Sequence, residues 1–286
     1  MKLKRKIVAI VGPTSSGKSA LALKVAKQFH GEVISADSRQ IYKGLDVLTG
    51  KTTAEQWDGI PHHLTDILEI GEEFSVAKFQ ELAYQAIDGM SALPIIAGGT
   101  GLYVSAVTEG YVLDDSPIDY KLRNRLNKMN IGELKARLFR LDANPDVDLN
   151  NPRRMVRAIE KLMAGRNVSR KKNPRYRVLK LGIEIDPETL KGKISDRIMN
   201  IPVATILEES EKVAGIQKAN NPLSLYMDAI RGFKKDEISE KEMREMMINT
   251  EWQYVKRQLT WFKKDKNIYW IKDELSAIEA VKQFLV

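Results

Sequence analysis

Residues 12–19 read Gly-Pro-Thr-Ser-Ser-Gly-Lys-Ser and match the phosphate-binding pattern G-x-x-x-x-G-K-[ST]. An apolar, β-branched run at residues 6–11 precedes the pattern and predicts a buried strand. Residues 20–29 follow it with apolar side chains at helical spacing. Strand, glycine loop and helix in this order are the context that the pattern requires, whereas a chance match in a surface loop would lack these flanks. The chain is therefore predicted to begin with a βα unit of an α/β sheet.

The chemistry of this loop favours a diphosphate or polyphosphate ligand. Its two glycines let backbone N–H groups turn toward an anion, and the N-terminus of the next helix adds a partial positive charge. Lys18 supplies a full positive charge, and the Ser19 hydroxyl is placed to hold Mg²⁺. The predicted diphosphate-binding residues are Gly12, Pro13, Thr14, Ser15, Ser16, Gly17, Lys18 and Ser19. The pattern by itself does not identify ATP as the ligand.

Composition limits the class of protein and its partners. Of the 286 residues, 43% are hydrophobic and 29% are charged, as is typical of soluble globular proteins. The absence of cysteine excludes disulfides, thiolate zinc sites and cysteine nucleophiles. No apolar run approaches the length of a membrane span, so we expect a cytoplasmic protein without a membrane partner. The net charge of +8 favours a nucleic-acid partner, although a basic surface without a specific partner would give the same charge.

A second strand is predicted around residues 33–34, and Asp37 follows near its carboxyl end. That edge of an open α/β sheet is where ligands and catalytic groups gather. Ser38, Arg39 and Gln40 come next and extend the polar cluster. A helix cap or turn is the alternative role for Asp37, but its place relative to the phosphate loop favours a functional one.

Another short buried strand is predicted at residues 93–97, and it runs into the glycine-rich segment 98–103. Glycines just after a strand let the backbone approach a ligand, and Thr100 can donate a hydrogen bond there. Between the two strands, His62 and His63 suggest a metal site. Adjacent histidines cannot easily share one metal, and no third histidine lies nearby, so we interpret them as structural or substrate-side groups.

From about residue 111 the sequence becomes more charged. After a turn at 114–117, two helices are predicted at 119–129 and 131–141. These helices resemble an insertion into the sheet. Most of their basic side chains are expected to lie on a solvent-exposed face. Another helix opens at Asn151-Pro152, and its Arg153 and Arg157 share a face, which suits phosphate binding. We assign residues 1–112 to the first part of a core, 113–150 to the insertion, and 151–286 to core completion with C-terminal helices.

The C-terminal part is predicted to contain two strands and two helical regions. The strands lie at 178–185 and 267–271. The helical regions lie at 191–212, with a break at Pro202, and at 240–264. A basic loop is predicted at 166–177 and a turn at 220–222. The end of the last helix mixes basic and aromatic residues, including Lys256 and Arg257, and fits an RNA-contacting face. Core aromatics beside lysines that reach the solvent are the alternative.

Six motifs stand in the order found in bacterial tRNA dimethylallyltransferases, and the resemblance covers nearly the whole chain. They are residues 12–19, 37–42, 59–63, 98–103, 151–154 and 256–262. The resemblance implies an α/β fold: a P-loop NTPase-like parallel sheet flanked by helices, a helical insertion that grips the tRNA anticodon stem-loop, and C-terminal helices. It also implies transfer of a dimethylallyl group from dimethylallyl diphosphate to N6 of adenosine 37 in tRNA, with Mg²⁺ as cofactor. We expect a monomer.

The resemblance also implies residue roles. Asp37 would accept the proton that the adenine amine loses, and Arg197 would stabilise the leaving diphosphate. Thr100 resembles the residue that lines the transfer channel, and Gln40 the group that reads a flipped adenine. The residues that resemble tRNA contacts are Asp37, Ser38, Arg39, Gln40, Arg153, Arg154, Met155, Val156, Arg157, Lys256 and Arg257. Segments 47–51 and 225–229, and the position of Thr205, depart from the family pattern.

Two other functions remain compatible with these motifs. A small-molecule or nucleoside kinase would use the same loop and Mg²⁺, with Asp37 as the base toward a hydroxyl. The basic insertion and the aromatic–basic helix argue against it, because a small substrate needs neither. A tRNA-binding protein with a relic phosphate site would bind RNA without turnover.

Overall fold

A six-stranded parallel sheet organises the larger part of the chain. The computed structural model describes residues 4–113, 119–166, 171–215 and 224–286. The strands are β1 (Lys6–Val11), β2 (Gly31–Ser35), β3 (His62–His63), β4 (Leu93–Gly98), β5 (Arg177–Ile183) and β6 (Ile268–Ile271). Their order is β3-β2-β4-β1-β5-β6, and every neighbouring pair is parallel. The strand that leads into the phosphate loop, β1, is therefore central, and the predicted α/β class is confirmed.

Eleven α-helices lie within these described ranges. They are α1 (Lys18–Phe29), α2 (Val76–Gly89), α3 (Gly101–Glu109), α4 (Tyr120–Leu126), α5 (Ile131–Leu141), α6 (Pro152–Met163), α7 (Pro187–Met199), α8 (Val203–Ala214), α9 (Met227–Lys234), α10 (Glu240–Phe262) and α11 (Glu274–Leu285). The sequence patterns did not predict α3, α9 and α11. No helix in the described part of the chain is both long and apolar enough to cross a membrane.

Capping groups set the helix boundaries that the sequence indicated. The Asn151 side chain accepts a hydrogen bond from the Arg154 N–H, and Pro152 occupies the first turn of α6. Ser239 and Glu242 form a reciprocal capping box at the start of α10. Helices α7 and α8 are separated at the predicted break. The predicted turns at 114–117 and 220–222 lie outside the described residues, as does part of the predicted basic loop, residues 167–170.

Residues of β1 alternate between two hydrophobic layers, one on each face of the sheet. Ile7, Ala9 and Val11 join one layer, whereas Val8 and Ile10 join the other, and all five are fully buried. A strand that is covered on both faces needs apolar residues throughout, which explains why β1 reads as a continuous apolar run. The packing fixes the carboxyl end of β1 and the loop that follows it.

The helices after β5 form a third hydrophobic cluster in the larger unit. Ile194 and Ile198 of α7 pack in it with Met247 of α10. Leu48 and Tyr226 are buried in the same cluster, although both come from segments that depart from the family pattern. Both departures are therefore accommodated within a closed core.

Helices α4, α5 and α6 form a smaller unit that spans Glu109–Pro174, while Met1–Thr108 and Arg175–Val286 make up the larger one. The predicted insertion ended at residue 150, and this boundary differs from the structure. The reason lies in the apolar face of α6: Met155 and Ile159 pack against Leu134 and Leu138 of α5 in one buried cluster. Residues 151–174 therefore belong with the insertion rather than with the core.

The two ends of the smaller unit are paired with each other. The Asn173 N–H donates to the Gly110 carbonyl at 2.6 Å, and the Val112 N–H donates to the Lys171 carbonyl at 3.1 Å. Gly110 has φ +65°, and a Cβ there would clash with the Asn173 carbonyl, so glycine is required. The insertion therefore begins and ends at neighbouring backbone positions.

Candidate active site

The phosphate loop connects the end of β1 to the start of α1, as the sequence predicted. Gly17 has φ +92°, a conformation that suits glycine, and Lys18 begins the helix. The Lys18 Nζ is buried and donates to the Pro13 carbonyl at 3.2 Å. The hydroxyls of Ser15 and Ser16 are buried without a hydrogen-bond partner among the described residues. The loop thus holds polar groups that a bound anion would satisfy.

Electrostatic coupling shows which groups surround the loop lysine. Burial lowers the pKa of the Lys18 ammonium most strongly, and the Asp37 carboxylate opposes this by raising it. Arg197 lowers the same pKa further and Glu251 raises it, so that the pKa of Lys18 lies below its ordinary value. The predicted base and the predicted diphosphate arginine therefore both lie within electrostatic reach of the loop.

The adjacent ends of β2 and β4 position Asp37 and Thr100. The Thr100 Oγ1 accepts a hydrogen bond from the Ser38 N–H at 2.9 Å and donates to the Ser38 Oγ at 3.2 Å. The Asp37 Oδ1 accepts from the Arg39 N–H at 3.0 Å, and Asp37 is only 7% exposed. A side chain at Gly98 would clash with the backbone of Ala36, so glycine permits this close approach of the two strands.

Arg39 is buried beneath this site rather than displayed on the surface. Its guanidinium donates to the Leu48 carbonyl and forms an ion pair with Glu251 at 3.5 Å. It also lies over the rings of Tyr226 and Tyr254, 5.3 and 6.0 Å from their centroids. Arg39 was expected to contact tRNA. Its side chain is instead only 5% exposed and paired within the protein, so this assignment is corrected.

Glu251 of α10 is a central residue of the site that sequence reasoning missed. It is fully buried, and its Oε1 accepts from the Arg197 Nη2 at 2.9 Å. Burial would raise the pKa of the Glu251 carboxyl, but Arg39 and Arg197 lower it, and the balance leaves the carboxyl below its ordinary pKa. The Tyr226 hydroxyl donates to the same carboxylate. The site therefore contains a buried charge network of two arginines around one glutamate.

The loop 45–51 forms the wall beside Gln40 and Arg197. The Gln40 Nε2 donates to the Gly50 carbonyl at 3.2 Å. Gly50 has φ +63°, and a Cβ there would clash with the Arg197 guanidinium. The carboxylate of Glu209 accepts hydrogen bonds from three successive backbone N–H groups of this loop, at 2.8–2.9 Å, those of Asp46, Val47 and Leu48. One buried side chain thus fixes the shape of the wall.

Comparison with known proteins places this arrangement in a family. An IPP transferase model matches residues 40–265, and an isopentenyl transferase model matches residues 5–65. The chain is 37% identical to a tRNA dimethylallyltransferase from Acetivibrio thermocellus, which covers 96% of this chain and 94% of that protein. A second tRNA dimethylallyltransferase, from Halalkalibacterium halodurans, is 34% identical over 94% of this chain and 91% of its own length.

The chain belongs to the IPP transferase family. A solved structure of similar fold is the full-length tRNA isopentenylpyrophosphate transferase from Bacillus halodurans. It has a TM-score of 0.72 and 33% identity, and it covers 99% of this chain and 96% of that one. The resemblance inferred from the six motifs is therefore confirmed.

Within this IPP transferase, two residues expected to contact tRNA are instead part of the core of the smaller unit. Met155 and Val156 are 0% and 4% exposed, because they face α4 and α5, so their side chains are not available to RNA. Arg153 and Arg154 are exposed on the same helix. Arg157 lies 3.2 Å from the Glu160 carboxylate. RNA contact by the exposed arginines stays a prediction, whereas burial removes the two apolar residues from the set.

The end of α10 presents cations beside aromatic rings. Lys256 and Arg257 are exposed, with Lys256 5.9 Å from the Trp252 ring centroid and Arg257 5.6 Å from that of Tyr254. Trp261 instead packs against a core cluster. Trp261 therefore follows the core interpretation, while RNA contact by the two exposed cations stays a prediction.

The adjacent histidines have structural partners in this IPP transferase. His62 stacks on Trp57 with ring centroids 4.4 Å apart. His63 lies 2.7 Å from a carboxylate oxygen of Glu32. Both histidines belong to β3, the edge strand that pairs with β2.

Proposed function

We propose that this chain transfers a dimethylallyl group from dimethylallyl diphosphate to N6 of adenosine 37 in tRNA and releases diphosphate. The observation that carries the proposal is the position of Asp37. This buried carboxylate follows β2 beside Thr100 and lies within electrostatic reach of the loop lysine, Lys18. A base next to a diphosphate cradle is the arrangement that alkylation of an amine by a prenyl diphosphate needs.

The donor diphosphate is proposed to bind in the phosphate loop. Backbone N–H groups at the start of α1 and the Lys18 ammonium would hold its oxygens. The hydroxyls of Ser15 and Ser16, which have no partner among the described residues, would supply further hydrogen bonds. Arg197, which lies within electrostatic reach of Lys18, would stabilise the negative charge that grows as the carbon–oxygen bond breaks.

Mg²⁺ fits the chemistry of this loop. Ser19 is half-buried in the first turn of α1, directly after Lys18, and a hydroxyl there is a suitable oxygen ligand beside the donor diphosphate. We propose that Ser19 holds the ion together with diphosphate oxygens. When bound, Mg²⁺ would neutralise part of the charge on the leaving group.

Transfer is proposed to proceed by direct attack of the adenine N6 on C1 of the dimethylallyl group. The N6–C1 bond forms, the bond from C1 to the diphosphate oxygen breaks, and N6 loses one proton. Asp37 would accept that proton, and Thr100 would orient the amine. The adenine must leave its stack to reach these groups, and Ser38 and Gln40 would contact the extruded base.

Exposed cations of each unit are proposed to contact RNA. Arg153 and Arg154 lie on α6, and Lys256 and Arg257 lie on α10. Their positive charges would contact phosphates of the anticodon arm, in agreement with the net charge of +8. We propose that the enzyme acts as a monomer and meets its tRNA in the cytoplasm.

The decisive test incubates the purified protein with isotope-labelled dimethylallyl diphosphate, Mg²⁺ and unmodified tRNA. We expect label in N6-alkylated adenosine 37. Asp37→Asn should remove turnover and keep tRNA binding, while Asp58→Asn, at an exposed aspartate, should match the unmodified protein. Phosphoryl transfer from ATP without prenyl transfer would favour a kinase, and tRNA binding without either reaction would favour a relic site.

A further inference from the structure

Glu251 has no role in the proposed reaction, yet it is the most enclosed carboxylate of the site. It lies in the middle of α10 and is fully buried. Taking a carboxylate out of water is costly unless cations and hydrogen-bond donors compensate it. A buried glutamate beside a diphosphate cradle also adds negative charge where the substrate is anionic. Its presence there therefore calls for a function.

The contacts of Glu251 identify what it holds. Its Oε1 pairs with the Arg197 Nη2 at 2.9 Å, and its Oε2 pairs with the Arg39 Nη1 at 3.5 Å. The Tyr226 hydroxyl donates to Oε2. One carboxylate thus connects two guanidinium groups that come from separate parts of the chain.

Arg197 has few other restraints. Its Nε is buried without a hydrogen-bond partner in the described part of the chain. Its Nη2 approaches the Tyr226 hydroxyl at 3.4 Å, and its other terminal nitrogen lies against Gly50. The Arg197 side chain remains 23% exposed, so it can still reach a ligand. Glu251 is the only carboxylate that the structure pairs with Arg197 among the described residues.

Arg39 extends the same network toward the base. Its guanidinium is enclosed by Glu251, the Leu48 carbonyl and two tyrosine rings, whereas its backbone N–H donates to Asp37 at 3.0 Å. Fixing the Arg39 side chain therefore also restrains the segment that orients the Asp37 carboxylate.

We propose that Glu251 is a positioning residue that holds Arg197 where negative charge develops on the leaving diphosphate. This inference rests on the proposed function. Glu251 does not touch the substrate; it acts through Arg197, and secondarily through Arg39. A residue with a merely structural role would stabilise α10 without any energetic link between Glu251 and Arg197.

A double-mutant cycle separates the two roles. Glu251→Gln keeps the shape of the side chain and removes its charge. We expect kcat to fall by about 10²-fold, as for a misplaced catalytic group, while the KM for tRNA stays unchanged. In the Arg197→Gln background, Glu251→Gln should cause a much smaller loss of kcat, limited to the part that acts through Arg39. Equal fold losses in the two backgrounds would overturn the proposal. Glu245→Gln, at an exposed glutamate of the same helix, is the matched control.

A milder variant covers the case in which Glu251→Gln does not fold. Tyr226→Phe keeps the ring near Arg39 and removes the hydroxyl, which donates to Glu251 and accepts a longer hydrogen bond from Arg197 at 3.4 Å. We expect a severalfold loss of kcat that disappears in the Arg197→Gln background; the same loss in both backgrounds would contradict the proposal.

The readouts also separate this inference from the proposed function. If the unmodified protein shows no prenyl transfer, the proposed function fails. The Kd for inorganic diphosphate is then measured by calorimetry for the unmodified protein, the two single variants and the double variant of the same cycle. Coupling between Glu251 and Arg197 in that Kd would support positioning, and its absence would refute it.

Discussion

The backbone N–H of Thr14 donates a hydrogen bond at 3.0 Å to the side chain of Gln258, a residue 244 positions later in the chain. The amide nitrogen of the same Gln258 donates to the Gly99 carbonyl at 3.0 Å. One amide of α10 therefore joins the phosphate loop to the glycine turn after β4. This connection ties a distant helix to the phosphate loop.

Replacing Gln258 tests this connection. Gln258→Met keeps the length of the side chain but leaves the Thr14 N–H and the Gly99 carbonyl without their partner. We expect the KM for dimethylallyl diphosphate to rise about thirtyfold, because two lost buried hydrogen bonds cost about 1 kcal/mol each, or about 2 kcal/mol together. Gln253→Met, at an exposed position on the same helix, should leave this KM unchanged. An unaltered donor KM in Gln258→Met would show that the loop holds its shape alone.

The lowered pKa of Lys18 predicts that binding of an anion takes up protons. Burial disfavours the charged lysine in the free protein, whereas a bound diphosphate would favour it and raise its pKa. Between these two pKa values, free Lys18 is largely neutral and bound Lys18 charged, so donor affinity should decrease as pH rises through this window. Calorimetry of diphosphate binding in buffers of different ionisation enthalpy measures the uptake. Lys18→Arg, whose side chain stays charged, should abolish the part of the proton uptake that comes from Lys18. Equal proton uptake in both proteins would contradict the prediction that Lys18 takes up the proton.

The lowered pKa of Lys18 also predicts that the free energy of unfolding of the unliganded protein rises with pH. Because the folded pKa of Lys18 is lowered, its burial destabilises the unliganded protein at pH values below that pKa. This cost disappears as pH rises from the folded toward the unfolded pKa. Bound diphosphate should remove the dependence.

Glu209 is expected to contribute strongly to stability. Its carboxylate accepts three backbone N–H groups of the loop 45–51 and is only 5% exposed. Glu209→Ala should lower the free energy of unfolding by about 3 kcal/mol, since hydrogen bonds to a buried charge are stronger than neutral ones. Glu208→Ala removes an exposed glutamate that pairs with Lys212 and should cost less than about 1 kcal/mol. Equal denaturation midpoints for the two variants would refute this role.

An ion-pair network stabilises the smaller unit. Glu160 accepts two hydrogen bonds from Arg123, both at 2.6 Å, and lies 3.2 Å from Arg157. Glu160→Ala should destabilise this unit by about 2 kcal/mol, because it removes a buried carboxylate that accepts charge-assisted hydrogen bonds from two partly exposed arginines. Limited proteolysis within residues 109–174 should accelerate, while the Kd for inorganic diphosphate should not change. Asp148→Asn, at a more exposed ion pair with Arg154, is the control. A loss of diphosphate binding in Glu160→Ala would contradict the prediction that Glu160 stabilises only the smaller unit.

The parts of the site that could be predicted from sequence depend on local patterns. The apolar run of β1 and the glycine spacing after it identify the phosphate loop, because a buried parallel strand and an anion-binding turn impose both. Asp37 and Thr100 were expected near the loop because each follows a parallel strand, and strand ends of one sheet share an edge.

Other parts depend on contacts that no local pattern records. Glu251 lies in a long charged helix, where a glutamate is usually solvated. Its role depends on Arg39 and Arg197, which are distant in sequence. For Met155 and Val156, however, a signal was available. Helical spacing already places Met155 away from the face shared by Arg153 and Arg157. Only the residues on the arginine face of this helix are therefore expected to contact RNA.

The close pairing of Gly110 with Asn173 has an evolutionary consequence. Because the two ends of this segment lie side by side, the segment can be lengthened, shortened or exchanged at little cost in chain entropy. Because Arg153 and Arg154 of this segment are proposed to contact the anticodon arm, a chimera joined at Gly110 is expected to show the RNA preference of the enzyme that supplied the segment.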